Sequence, residues 1–201
     1  MSHHLPYSII GFHSCDKKVG IRVLNGLDEL RPSNNPWDWL GPGIYFWEQN
    51  PVRALEYAKE SVQGKQINKV RIKEPLVLGA IVELGNCLNL VEARSLEVLK
   101  SVHTVLRNMM LQTGARMPEN KGNNRALDCT VILVLHQLLK YAGLPAYDTI
   151  RCAFPEGGEI YPGSAITSRL HIQVCVLQPE CILGYFLPKP IHYYNPDLQA
   201  A

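Results

Sequence analysis

Hydrophobic and polar positions alternate between two periods along this chain, and the switches between them outline its elements. Ser8–Phe12 is a short apolar run closing on Gly11-Phe12-His13, which predicts a strand. Asp16 is placed to cap a helix running to about Leu24, which Asn25-Gly26 would stop. Ile44–Trp47 predicts a brief strand. Asn50-Pro51 then predicts a helix to about Ser61, with Ala54, Leu55 and Ala58 on one stripe. Pro75–Leu84 reads as a buried strand. Val91–Leu111 places Leu96, Leu99, Val102, Val105, Leu106 and Met109 at helical spacing. Ala126–Tyr141 is apolar nearly all round, which predicts a buried helix closed by Gly143. Asp128 and His136 on it read as satisfied buried groups. Thr149–Phe154 is a further strand, and His171–Leu177 and Cys181–Leu187 predict a closing hairpin around Gln178-Pro179-Glu180.

Between these elements lie three polar stretches. Leu27–Gly43 carries Pro32, Pro36, Gly41, Pro42 and Gly43, and a structureless loop of about 15 residues is often functional. Gln112–Asn124 and Pro155–Ser168 also read as loops, the second rich in glycine. Mixed helices and strands with a β-rich end predict an α+β domain spanning residues 1–201.

Composition narrows the class. Of 201 residues, 46% are hydrophobic and 19% charged, enough apolar matter for a packed core and against wholesale disorder. A formal net charge of +2 gives nucleic-acid binding no support from bulk charge. Cys15, Cys87, Cys129, Cys152, Cys175 and Cys181 form no Cys-x-x-Cys pair, and Met1–Tyr7 lacks a signal-peptide core. Both point to reduced cysteines in a cytoplasmic protein. No apolar run approaches the roughly 18 residues of a membrane span. His3-His4 reads as a solvated tail, and no His/Cys cluster has zinc spacing, so no metal is expected.

Three segments share one chemical style, a strand end with a polar or aromatic residue beside glycine: Gly11-Phe12-His13-Ser14-Cys15, Gly41-Pro42-Gly43-Ile44-Tyr45-Phe46, and Leu170-His171-Ile172-Gln173-Val174. In this order they resemble the signature of the poly(ADP-ribose) polymerase and diphtheria-toxin branch of the ADP-ribosyltransferases. That branch carries a His-Gly pair on a first strand, a Gly-x-Gly-Ile-Tyr-Phe strand about 30 residues later, and a late-strand glutamate. His13 and Tyr45 are 32 residues apart here (45 − 13). The resemblance is close over His13–Tyr57, looser over Leu170–Leu187, and silent over residues 60–150.

The resemblance implies a split, mainly antiparallel sheet forming an NAD cleft with flanking helices. It implies NAD as substrate, cut at its nicotinamide bond, with ADP-ribose moved to a protein or nucleic-acid acceptor. His13 would bind a ribose hydroxyl, Ser14 would hold the nicotinamide amide through its backbone, and Tyr45 and Tyr57 would sandwich the ring. Gly43 would bring Tyr45 to the ligand. Ser14 departs from the family's glycine, and Gln173 stands where the family has its glutamate. Gln173 can hydrogen-bond a hydroxyl but cannot offset the charge of an oxocarbenium-like transition state. Glu156 or Glu159, just before that strand, could supply the carboxylate or act as general base; solvated loop charges are the alternative. Asn35 and Trp37 would lie at the adenosine end, and Arg31, Arg53, Arg151 or Arg169 near the pyrophosphate. A compact chain of this kind suits a toxin or phage-defence effector held silent by an antitoxin. A binding module that has lost catalysis and an NAD glycohydrolase are the alternatives.

Overall fold

The computed structural model describes residues 8–64 and 72–198; His3 and His4 lie outside them. In chain order the strands are β1 (Ser8–Asp16), β2 (Ile44–Glu48), β3 (Pro75–Glu83), β4 (Cys87–Asn89), β5 (Asn120–Lys121), β6 (Asn124–Arg125), β7 (Thr149–Glu159), β8 (Thr167–Val176) and β9 (Ile182–Phe186). The helices are α1 (Lys17–Leu24), α2 (Pro51–Val62), α3 (Ala93–Thr113), α4 (Ala126–Tyr141) and α5 (Ile191–Tyr194).

Local chemistry sets the helix ends. The Asp16 carboxylate accepts from the Lys18 amide to start α1, and its other oxygen accepts from the Lys73 amide just before β3. Asn50 Oδ1 accepts from the Arg53 amide at 2.9 Å, with Pro51 opening α2. Gly114, at φ 68°, closes α3. Among the described residues no helix is long and apolar enough to cross a membrane.

Seven strands form one sheet in the order β4-β7-β8-β2-β1-β3-β9, with β5 and β6 a separate small hairpin. The β4–β7 pair is parallel and the other neighbours are antiparallel. This is an α+β fold with a large, mostly antiparallel sheet. Its pairing is uneven. β1 and β3 are in register from Ser8–Glu83 to Asp16–Pro75, whereas β1 and β2 meet only at Gly11–Glu48 and Phe12–Trp47. The sheet is continuous, but its central seam is two rungs long.

One face is covered by α1, the chain after it and the C-terminal segment, burying Ile9, Cys15, Ile44, Phe46, Leu76, Leu78 and Val174. The other face carries two separate packed groups. α2 sits over β1 and β3 with Phe12, Trp47, Leu55 and Val77. α3 and α4 sit over β4, β7 and β8 with Leu88, Leu106, Ile132, Ile150, Phe154 and Cys175.

Four expectations are corrected. β8 and β9 are no hairpin: β8 lies between β7 and β2, and β9 at the edge beside β3, because each buries its apolar side against a different part of the sheet. Residues 155–159 belong to β7, which pairs with β8 as far as Glu159–Thr167, so Glu156 and Glu159 are strand residues. α4 is buried along one stripe only; Leu133 is 43% and Tyr141 89% exposed, since helix and sheet neighbours reach one side alone. Asp128 is exposed, and the buried Nε2 of His136 has no hydrogen-bond partner.

Candidate active site

A polar strip runs between the two packed groups of the second face. Trp47 on β2 stands opposite Gln173 on β8, and across β8 Cys152, Phe154 and Glu156 stand opposite Gln173, His171 and Arg169. Paired positions share a face, so Tyr45, Trp47, Glu156, His171, Gln173 and Cys175 project together. α3 and α4 take Tyr45, Phe154 and Cys175 into their core, and α2 takes Trp47. Gln173, His171 and Glu156 remain between.

Arg53 ties α2 to the strip. It is 6% exposed, and its Nη2 lies 2.8 Å from Glu156 Oε2. Its Nη1 is 3.8 Å from Glu56 and 3.7 Å from Glu60, outside hydrogen-bond range, and Nε and Nη1 are buried without hydrogen-bond partners. Arg169 reaches Glu60 at 2.7 Å. Three carboxylates thus face two guanidiniums. Trp47 meets the Tyr57 ring at 5.1 Å and the Arg53 guanidinium at 5.9 Å, and its indole N–H is buried without an acceptor. A cavity of about 200 Å³ adjoins, lined by Asn50, Arg53, Glu56, Ser168 and Arg169 among others.

His171 is locked in the strip. Its Nδ1 is 2.7 Å from the Arg169 carbonyl oxygen and its Nε2 is 2.9 Å from Gln173 Nε2. The Phe154 ring stacks on it at 5.8 Å.

The second component is the seam. Beyond Phe12–Trp47, β1 and β2 part. His13 Nδ1 donates to the Tyr45 carbonyl at 2.8 Å, taking the place of a backbone rung. Ile10 turns its carbonyl toward β2, where it accepts from the Gln49 amide, so by strand alternation the Ser14 amide and carbonyl also face β2, past the last paired rung. The Ser14 hydroxyl donates to the Ala54 carbonyl and pins β1 to α2.

The structure therefore gathers some sequence-predicted residues and separates others. Glu156 and Gln173 share the strip's face, Tyr57 packs against Trp47 at its edge, and Ser14 lies at the seam, bonded to α2. The His13 ring lies on the opposite face against Phe46, 5.6 Å away. Tyr45 shares the strip's face, but its hydroxyl donates to the Gly41 carbonyl and accepts from the Leu40 amide. Its ring braces the preceding loop and makes no sandwich with Tyr57; Trp47 takes that place. Gly43 serves close packing against Cys175 and Val176. Asn35 is engaged by Ser33 and Asp38, and Trp37 accepts the Arg125 amide through its carbonyl, both inside the 27–43 loop. Glu159 accepts from the Gly163 amide and closes the β7–β8 turn. Arg151 forms a two-pronged pair with Glu48 on the far face. Trp47 was missed by sequence reasoning. The two-residue step from Tyr45 to Trp47 was a signal, since both must share a face.

His13, His136 and His171 are all held below the ordinary imidazole range, chiefly by burial, which disfavours the charged ring. The unfolded chain takes up these protons near 6.5 while the folded one resists. Their contribution to stability is therefore complete above about pH 6.5 and is lost as pH falls from there through the folded values. A melting temperature that drops on acidification from about pH 7 to about pH 5 is expected by circular dichroism. A flat profile would contradict the burial of these rings. The six cysteines are unbridged, and burial raises the pKa of each thiol, so none is an activated nucleophile.

Comparison with known proteins returns one distant similarity, to an uncharacterized protein of Methanocaldococcus jannaschii. It is 24% identical over 205 aligned positions, covering 92% of this chain and 86% of that one. No family model and no solved structure matches.

Proposed function

We propose that this chain is an NAD-directed ADP-ribosyltransferase whose reaction centre lies where the β1–β2 seam opens onto the polar strip. One observation carries the reading. The three motif strands, distant in sequence, are consecutive in the sheet as β8-β2-β1, and the sheet parts between two of them beside the motif residues.

The roles follow the geometry. The Ser14 amide and carbonyl suit the two ends of a carboxamide. Trp47 and Tyr57 offer aromatic surface to a flat nicotinamide ring. Gln173 binds a ribose hydroxyl. His13 braces the opening through Tyr45. The bond between nicotinamide and ribose C1 breaks, its electron pair leaving with nicotinamide. The acceptor's nucleophile then bonds to C1 and gives its proton to Glu156. Arg53, 2.8 Å away, fixes that carboxylate in place.

A second reading has its own support. Gln173 carries no charge, and Glu156 is already paired with a buried arginine, so the site could bind NAD or ADP-ribose without transfer. NAD labelled in its adenosine portion separates these readings, with cell extract as acceptor source. Label on macromolecule means transfer, free labelled ADP-ribose means hydrolysis, and bound but unchanged NAD means recognition alone. Protease or nuclease treatment then identifies the acceptor as protein or nucleic acid. In the transfer reading Glu156→Gln, which still accepts from Arg53, lowers turnover about a hundredfold. Glu159→Ala, at the hairpin turn, leaves turnover unchanged. Full activity in Glu156→Gln would remove the base from the mechanism.

A further inference from the structure

A glutamine side chain offers a donor at one end and an acceptor at the other, and which end meets a ligand decides what it can bind. At Gln173 the neighbouring ring makes that choice. His171 Nδ1 faces the Arg169 carbonyl oxygen at 2.7 Å, and a carbonyl only accepts, so Nδ1 carries the proton. In the neutral ring Nε2 is then a bare acceptor. It lies 2.9 Å from the Gln173 amide and requires the NH₂ end there. The Gln173 carbonyl oxygen is the end left over, and among the described residues no protein donor meets it.

The ring cannot readily turn to relax this choice. His171 is 5% exposed and stacked on Phe154. The charged groups facing it are Glu156 on β7, which favours the imidazolium, and Arg53 on α2, which opposes it. On β8 Arg169 faces it through its carbonyl. The Cys152 thiol opposite Gln173 stays neutral, its pKa raised by burial.

We propose that His171 is a positioning residue that sets the Gln173 amide end for end: neutral, it presents the carbonyl oxygen to a hydroxyl donor, and protonated, it reverses the amide and withdraws that acceptor. The hydroxyl donor is the ribose diol of NAD, a point that rests on the function proposed above. The protonated ring has two N–H donors. Nδ1–H stays on the Arg169 carbonyl, so Nε2–H needs the Gln173 oxygen, and the NH₂ end turns outward.

The test has two arms on the full chain. Imidazole nitrogen NMR should show His171 as the Nδ1–H tautomer, titrating below the usual imidazole range. Gln173→Glu puts a carboxylate at Nε2 and should raise that midpoint by about one unit or more. A neutral Nε2–H tautomer, or a midpoint unmoved in Gln173→Glu, overturns the proposal. In the second arm NAD cleavage by the native protein should fall about tenfold per pH unit below the NMR midpoint. That acid limb should vanish in Gln173→Glu, whose two oxygens accept in either state of the ring. An acid limb that persists at the same pH in Gln173→Glu also overturns it. If the NMR arm comes out as expected while NAD is neither bound nor cleaved at any pH, the positioning stands and the NAD reading falls.

Discussion

Gly43→Ala is expected to lose about 3 kcal/mol of folding stability, the upper part of the usual overpacking range. An added Cβ would overlap Cys175 Sγ and come within 2.8 Å of the Val176 carbonyl oxygen. A side chain could rotate away, but a paired backbone oxygen cannot. Gly43 also exchanges two main-chain hydrogen bonds with Ser33, at 2.8 and 3.0 Å, so the loop before β2 cannot shift without breaking them. Either β2 moves off β8 or the loop detaches. Denaturant unfolding should show a lower midpoint at unchanged slope. A variant as stable as the native protein would mean that β2 and β8 are not this close. Gly41→Ala is a useful contrast. There the difficulty is the backbone, at φ 76°, with Ile132 Cγ2 at 3.0 Å, and the cost is expected nearer 1 kcal/mol.

Arg53→Met is expected to lose about 2–3 kcal/mol, less than the roughly 3–5 of a fully buried pair. Two effects oppose. Removing the guanidinium strands Glu156 near a low-dielectric face, which destabilises, while Glu60 keeps Arg169 at 2.7 Å. It also removes two buried N–H groups, at Nε and Nη1, that have no acceptor. The first wins because a carboxylate left near the core costs more than an orphaned N–H. The Glu156 side chain is 28% exposed, so water softens the loss. Adding Glu156→Gln to Arg53→Met should therefore recover part of the stability, giving a measurable coupling in a double-mutant cycle. Strict additivity of the two substitutions would show that the pair carries no net interaction.

The two sites share a lesson about what a motif means. Gly41-Pro42-Gly43-Ile44-Tyr45-Phe46 stands out in the sequence as a ligand-binding signature. In the fold much of it builds the sheet: Gly43 admits β8, Tyr45 fastens the loop, and Phe46 is fully buried beneath His13. Of the side chains left at the strip, His171 lies within the third motif, and Trp47 and Arg53 lie outside the motifs. Trp47 and Arg53 acquire their roles from residues on other elements, Tyr57 and Glu156, whereas His171 acquires its role from Arg169 and Gln173 on its own strand.

The chain's own order of residues determined the helix ends and the extent of most elements. Asp16 and Asn50 cap α1 and α2 where expected, and the 126–141 helix has the predicted bounds, because capping and periodicity are satisfied within a few residues of each other. The tertiary structure alone decided that β8 joins β2 rather than β9, that His13 turns from the face holding Gln173, and that Glu156 meets Arg53 across 103 positions of chain. Strand order and face are fixed by how apolar area sums over a whole sheet and its covering helices. A polar side chain on a strand finds its partner only after those surfaces have closed.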